Sequence, residues 1–118
     1  MWGAIIGDIV GSVYEFDWIK QKDFDPLFHP MSKYTDDTVC TVAVADCLLQ
    51  NGDPAEYLRR WCGKYPNRGY GGLFSEWLST PSMKAYNSFG NGAAMRVSPA
   101  AILARTWEEA SEFADLIT

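Results

Sequence analysis

Two consecutive carboxylates, Asp36 and Asp37, stand between the hydroxyl-bearing Thr35 and Thr38, directly before the apolar run VCTVAVA. Carboxylate and hydroxyl oxygens are the donors that hard divalent cations such as Mg²⁺ or Mn²⁺ prefer. Successive helical residues point about 100° apart, so both carboxylates can serve one site only off the end of a helix. Two interpretations stay open: a cation site, or a Thr35 cap followed by two acids that complement the helix dipole.

The segment before these acids, WGAIIGDIVGSVYEF, has apolar side chains at helical spacing, namely Ile5, Ile6, Ile9, Val10 and Val13. Gly3, Gly7 and Gly11 recur every four residues on this helix, and each disfavours a helix by about 1 kcal/mol relative to Ala. A stripe of this kind indicates either close packing against another backbone or a ligand that approaches closely. Packing is the simpler interpretation.

The rest of the chain is also predicted to be helical. Residues 36–50 form a mostly apolar helix that ends at Asn51-Gly52, and Asp53-Pro54 begins a second helix that runs to about Lys64. A Gly-rich loop and a short helix follow, then a helix with Ser98 as N-cap and Pro99 at its first position, and a last helix from a Thr106–Glu109 capping box to about Leu116. No period-2 alternation persists, so we expect an all-α bundle of about six helices.

Composition excludes several classes of function. The formal charge is −5 without a basic cluster, which disfavours binding to a nucleic-acid backbone. Three cysteines, Cys40, Cys47 and Cys62, share no metal-ligand or disulfide spacing and are expected to be buried thiols. No run approaches the roughly 20 apolar residues of a membrane span, and the N-terminus lacks the charged start of a signal peptide. We therefore expect a cytoplasmic protein.

Four stretches together indicate a family. GAIIGDIVGSVYEF, YTDDTV, RGYGG and FGNGAAMRVSP, in this order, resemble the successive motifs of the ADP-ribosylglycohydrolase family, whose members are similar to dinitrogenase reductase-activating glycohydrolase. The resemblance covers residues 1 to about 105. It implies a compact all-α fold with two Mg²⁺ or Mn²⁺ ions at its site. It also implies an enzyme that hydrolyses the glycosidic bond between ADP-ribose and a protein side chain or small acceptor.

The resemblance also implies roles for particular residues. Thr35, Asp36 and Asp37 would ligate the metals, and Glu15 would lie beside them and act with the two aspartates in catalysis or gating. The substrate would be bound by residues of the two glycine motifs, namely Gly69, Tyr70, Gly71, Phe89, Gly90, Asn91, Gly92, Met95 and Arg96. Glycines at the start of a helix allow backbone N–H groups to approach a diphosphate. Arg96 has the alternative of pairing with a core acid such as Asp8.

One family feature has no counterpart in this sequence. The resemblance implies a second acidic motif, Asp-x-Asp followed by Thr or Ser, and a chain more than twice as long. Residues 1–118 are therefore expected to form the N-terminal portion of such a domain, with half of the metal site and weak metal binding. One alternative function stays open, a non-catalytic remnant that binds ADP-ribose or a protein. The core could be completed either by oligomerisation or by a missing C-terminal half.

The remaining residue types with chemical potential have simpler interpretations. His29 stands between prolines in PLFHPM without a partner at a ligand spacing, so we expect a loop histidine. The tryptophans are scattered through the sequence and are expected to lie in the core: Trp2, Trp18, Trp61, Trp77 and Trp107.

Overall fold

The computed structural model describes residues 1–16 and 20–118, and all regular structure within these residues is helical. The helices are α1 Trp2–Gly11, α2 Asp36–Gln50, α3 Pro54–Lys64, α4 Gly72–Ser79, α5 Gly92–Met95, α6 Ser98–Leu103 and α7 Trp107–Ile117. The all-α prediction is confirmed. The described residues contain one more helix than expected, because the single turn α5 was not foreseen.

Helix α2 lies at the centre of the molecule and contributes to both hydrophobic clusters. The first cluster joins Val39, Cys40 and Ala43 of α2 to residues of α3 and α4, including the buried Trp77. The second joins Val44 and Leu48 to α6 and α7. Since eight of the fifteen α2 residues are buried, this helix is fixed on several sides and holds its first turn in place.

Local capping signals placed most helix boundaries correctly. Asn51 ends α2 in the left-handed conformation, with φ of 50°. The Asp53 side chain accepts a hydrogen bond from the N–H of Glu56 at 2.9 Å and so caps α3. Thr106 caps α7 in the same way, but the carboxylate of Glu109 accepts from the N–H of Arg105 and not from that of Thr106.

Two boundaries differ from the prediction. Helix α1 ends at Gly11, although the apolar spacing continues to Val13. Helix α6 begins at Ser98 itself, so Val97 is the N-cap residue and Pro99 occupies the second helical position. The Ser98 hydroxyl is buried and makes no hydrogen bond within the part of the chain that the structure describes. Helix α7 ends at Ile117, which agrees with the expected end at about Leu116.

Burial separates the tryptophans into two groups. Trp77 is buried and Trp61 packs against the same cluster, as expected. Trp2 and Trp107 were predicted to lie in the core, but they are 74% and 83% exposed, so that prediction was wrong for both. They stand at the first positions of α1 and α7 and belong to neither hydrophobic cluster. Trp18 lies outside the described residues.

The cysteine prediction is confirmed, since Cys40, Cys47 and Cys62 are all free and buried. Over residues 1–16 and 20–118, no helix combines the length and the hydropathy that crossing a membrane requires.

The Asp53 cap provides a test of the fold. Asp53→Ala is expected to lower the free energy of unfolding by about 1 kcal/mol, because the N–H of Glu56 loses its acceptor. Asp53→Asn is the matched control and should retain most of the stability, since Asn also caps helices well. Urea denaturation of the three proteins measures the difference, and equal stabilities would contradict the capping role.

Candidate functional site

The carboxylate of Asp8, on α1, organises the first turn of α2. It accepts hydrogen bonds from the backbone N–H of Thr35 at 2.8 Å and of Thr38 at 3.2 Å, and from both threonine hydroxyls. The Thr35 side chain makes no capping bond of its own. Thr35 is thus the N-cap residue, as one interpretation held, but its hydroxyl donates to Asp8, and the capping acceptor comes from this residue 27 positions earlier.

The two consecutive carboxylates face two neighbouring cavities. Asp36 lines a cavity of about 760 Å³ that α3, α4, α5 and the segment 81–91 enclose. Asp37 lines a smaller cavity of about 500 Å³ beside α1, together with Asp8, Glu15 and Thr35. Asn91 borders both cavities. The divergence follows from helix geometry, which turns successive side chains about 100° apart.

Burial and neighbouring negative charges raise the pKa of both aspartates at the start of α2. Burial raises the pKa of Asp36 to about 6, and the negative charges of Asp37, Glu15 and Asp8 act in the same direction. Burial also raises the pKa of Asp37, again with contributions from Asp8 and Glu15. Negative charge is thus concentrated at the start of α2, and a bound cation would relieve the repulsion.

The side chains at the start of α2 have the oxygen ligands that a hard cation prefers, but they are too few to complete its coordination. Thr35, Asp36 and Asp37 offer oxygens, which suit Mg²⁺ or Mn²⁺. Within the described part of the chain, however, no three acidic, histidine or cysteine side chains are close enough to hold one ion together. The residues present could therefore provide only part of a metal centre.

The glycine stripe of α1 lies along the smaller cavity. Gly7 and Gly11 line it, and a Cβ atom placed on Gly3, Gly7 or Gly11 would meet no atom within 4 Å. Among residues 1–16 and 20–118, no backbone packs against this face of the helix, so the packing interpretation has no support within them.

Seven of the nine residues predicted to bind substrate border the larger cavity: Gly71, Phe89, Gly90, Asn91, Gly92, Met95 and Arg96. Phe89 is fully exposed at its edge. The other two, Gly69 and Tyr70, do not line it. The Tyr70 hydroxyl donates to the carbonyl of Tyr65 at 2.7 Å, and burial raises its pKa.

Arg96 has a structural contact that was not foreseen. Its Nε and Nη2 atoms donate to the carbonyl oxygen of Ile117 at 3.2 and 3.0 Å, so the guanidinium stabilises the C-terminal end of α7. The alternative pairing with Asp8 is wrong, because Asp8 is occupied by the two threonines. Arg96 also borders the larger cavity, where one face of the side chain could meet a ligand.

Sequence reasoning missed two residues that build the site. Asp8 gave a signal, because it interrupts an otherwise apolar stretch, and a charge there needs a partner. Arg59 gave none. It stacks on the Trp77 ring at 3.9 Å and donates to the carbonyls of Trp77, Leu78 and Met83, which fixes one wall of the larger cavity. His29 lies in an exposed loop, and its Nδ1 accepts from the N–H of Met31.

Comparison with known proteins agrees with the motifs. The family model described as ADP-ribosylglycohydrolase matches residues 1–118. The chain belongs to the ADP-ribosylglycohydrolase family. Among curated relatives, it is similar to ADP-ribosylhydrolase ARH3 of Xenopus tropicalis, with 30% identity over 80% of this chain and 35% of the relative. The proteins of the same name from Mus musculus and Homo sapiens are 29% and 28% identical over 97% of this chain.

This member of the ADP-ribosylglycohydrolase family spans less than half the length of the curated relatives that it matches. The alignments cover 35% of the Xenopus tropicalis protein, 40% of the Mus musculus protein and 41% of the Homo sapiens protein. The relatives therefore contain large regions that correspond to no residue of this chain.

Removal of the Asp8 carboxylate tests its organising role. Asp8→Ala is expected to lower the free energy of unfolding by roughly 2–4 kcal/mol, because four donors at the start of α2 lose a charged acceptor. The exposed Asp23 provides the matched control, and Asp23→Ala should change stability by less than about 0.5 kcal/mol. Similar losses in both variants would contradict the assignment.

The raised pKa of Asp36 predicts how stability depends on pH. Between its ordinary value of 3.8 and about 6, the folded chain holds a proton that the unfolded chain has released. Stability therefore falls as the pH rises through this window, and the charged form costs about 1 kcal/mol at pH 7 after allowance for partial exposure. Asp36→Asn should raise Tm at pH 7 in the presence of a chelator and leave it unchanged near pH 4. A lower Tm at pH 7 would contradict this sign.

Proposed function

We propose that this chain forms the N-terminal portion of an enzyme that hydrolyses the glycosidic bond between ADP-ribose and a protein side chain or a small acceptor. The proposal rests on membership of the ADP-ribosylglycohydrolase family and on one structural observation. Asp36 and the glycine motif Gly90-Asn91-Gly92 border the same cavity of about 760 Å³. This volume lies within the range of about 300–1,000 Å³ that is typical of small-molecule sites.

In this proposal Thr35, Asp36 and Asp37 would hold divalent cations, Mg²⁺ or Mn²⁺, of which the complete family site has two. The bound ions would supply positive charge that orients ribose hydroxyls and lowers the pKa of a water molecule. The support is the type of the donors and their setting, since burial, together with neighbouring carboxylates, raises the pKa of Asp36 and of Asp37. Further carboxylates would have to come from outside the described residues.

The other residues of the site would bind and orient the substrate. Backbone at Gly90 and Gly92 can approach a diphosphate closely, although the N–H of Gly90 now donates to the Ser88 hydroxyl at 3.1 Å and would have to exchange partners. The exposed Phe89 ring offers an apolar surface for a base or ribose. Glu15, on the smaller cavity with Asp37, is the proposed group for proton transfer or gating, because the aspartate oxygens would be occupied by the cations.

A second candidate function is binding without catalysis. The described residues provide no group of three ligands for a metal ion, so a chain with only these carboxylates would retain the cavity but not a complete metal centre. Such a chain would bind ADP-ribose or an ADP-ribosylated protein. Determining whether the reading frame continues into an Asp-x-Asp-Thr or Asp-x-Asp-Ser segment separates this possibility from the enzyme.

The proposal includes a completing partner and a cellular location. Exposed apolar side chains such as Trp2, Ile6 and Trp107 leave surfaces that a C-terminal half or a second chain would cover. Light scattering after size-exclusion chromatography distinguishes a monomer from an oligomer. Three free cysteines suit a reducing compartment, which supports the cytoplasm as the location.

The enzyme proposal is tested with the complete reading frame and an ADP-ribosylated peptide. Release of ADP-ribose, measured by mass spectrometry, is expected with Mg²⁺ or Mn²⁺ and should stop with a chelator. Asp36→Asn and Asp37→Asn should each reduce the rate by about 10²-fold or more.

Asp46→Asn is the control for these variants, because Asp46 lies on the same helix and bonds Arg60 and Trp61 away from both cavities. It should leave the rate near that of the original protein. Full activity of the Asp36 and Asp37 variants would rule out the metal-ligand roles, and binding of ADP-ribose without turnover would favour the second candidate.

A further inference from the structure

The loop of residues 65–71, which joins α3 to α4, meets the first turn of α2 at Asp36. The carbonyl oxygen of Arg68 accepts the backbone N–H of Asp36 at 2.9 Å. This N–H belongs to the first helical residue and has no partner inside the helix. Asp8 satisfies the N–H groups of Thr35 and Thr38, so the loop supplies an acceptor that Asp8 does not provide.

The next residue brings the loop against the Asp36 side chain. Gly69 has φ of +96°, a conformation that side chains disfavour, and a Cβ atom on it would lie 3.5 Å from Oδ1 of Asp36. Loop backbone therefore borders the carboxylate directly. Any shift of residues 68 and 69 would change the space that this carboxylate occupies.

Stacking of Arg68 holds the loop in this position. The Arg68 guanidinium lies 3.9 Å from the centre of the Tyr34 ring. Tyr34 precedes Thr35 directly, and its ring also packs edge-to-face against Tyr65 at the start of the loop. The loop therefore contacts both neighbours of Thr35. Arg68 stacks on Tyr34, which precedes Thr35, and its carbonyl accepts the N–H of Asp36, which follows it.

Arg68 meets the start of α2 through its backbone carbonyl and its stack on Tyr34. Nε of Arg68 is buried without a hydrogen-bond partner among the described residues, so part of this guanidinium has lost its contact with water. Burial of Nε without a partner is unfavourable, and the stack on the Tyr34 ring offsets it, which indicates that this side chain fixes the loop.

We propose that Arg68 is a positioning residue, whose stack on Tyr34 fixes residues 65–71 against the start of α2 and thereby orients the Asp36 carboxylate toward the larger cavity. The contact with Asp36 stands on the structure alone. Its consequence for metal binding rests on the proposed function.

The first test measures the backbone contact by amide hydrogen exchange with NMR detection. In Arg68→Ala, the Asp36 amide is expected to exchange about tenfold faster, because the fraction of molecules in which this hydrogen bond is open should rise about tenfold. The amide of Val44, deep in the same helix, should be unchanged. Arg60→Ala is the matched control, since Arg60 stacks on Tyr57 at 4.1 Å but lies away from this loop. Unchanged exchange at Asp36 in Arg68→Ala would overturn the proposal.

The ring provides a second pair of variants if Arg68→Ala fails to fold. Tyr34→Phe retains the aromatic face and should preserve slow exchange at Asp36, whereas Tyr34→Leu removes the face and should increase the rate. Equal rates in the two variants would overturn the proposal. Arg68→Lys, which retains a cation over the ring, should restore part of the protection.

The second test uses Mn²⁺ alone as the probe, with binding to the chain followed by electron paramagnetic resonance. Arg68→Ala should bind Mn²⁺ about tenfold more weakly than the original chain, and Arg60→Ala should bind it equally well. Faster exchange at Asp36 with unchanged Mn²⁺ affinity would overturn the orienting role. If the original chain and the complete reading frame bind no Mn²⁺, the proposed metal site fails, while the exchange result still decides whether Arg68 fixes the loop.

Discussion

The carboxylate of Asp8 takes hydrogen bonds from the backbone and hydroxyl groups of Thr35 and Thr38, and this contact joins α1 to the first turn of α2. Helix α1 buries none of its own residues, so it contributes little to the two hydrophobic clusters. Its main described role is to supply this acceptor. Because the N–H groups at a helix start have no partner within the helix, the geometry of Asp36 and Asp37 depends on docking of α1.

The same arrangement concentrates negative charge at the start of α2, the helix that contributes to both hydrophobic clusters. Asp36 and Asp37 are followed directly by the most buried stretch of the chain, in which Val39, Cys40 and Ala43 are almost inaccessible to solvent. Burial of apolar surface along α2 offsets the repulsion among acids at its start. The site is therefore held by a stable core while its own carboxylates oppose folding, as is common where groups are arranged for binding or catalysis.

The exposed apolar side chains and the family comparison both bear on the proposed complementary region. Trp2 and Trp107 lie at the starts of helices and are largely exposed, and the chain corresponds to only 35–41% of its curated relatives. The cation donors are also too few within the described residues. Under the proposed function, a complementary region would provide both the apolar cover and the additional carboxylates.

The sequence by itself determined the all-α class, the extents of α2 and α3, and the caps at Asp53 and Thr106. These depend on contacts within about four residues, where side-chain type and spacing decide the backbone conformation. The family motifs also placed Asp36 and the segment 89–92, which the structure brings to one cavity. Only the tertiary structure decided that Asp8 caps α2, that Arg96 binds the end of α7, and that the two aspartates face different cavities. Those contacts join residues 21 to 30 positions apart or depend on what surrounds a helix, and no local pattern records them.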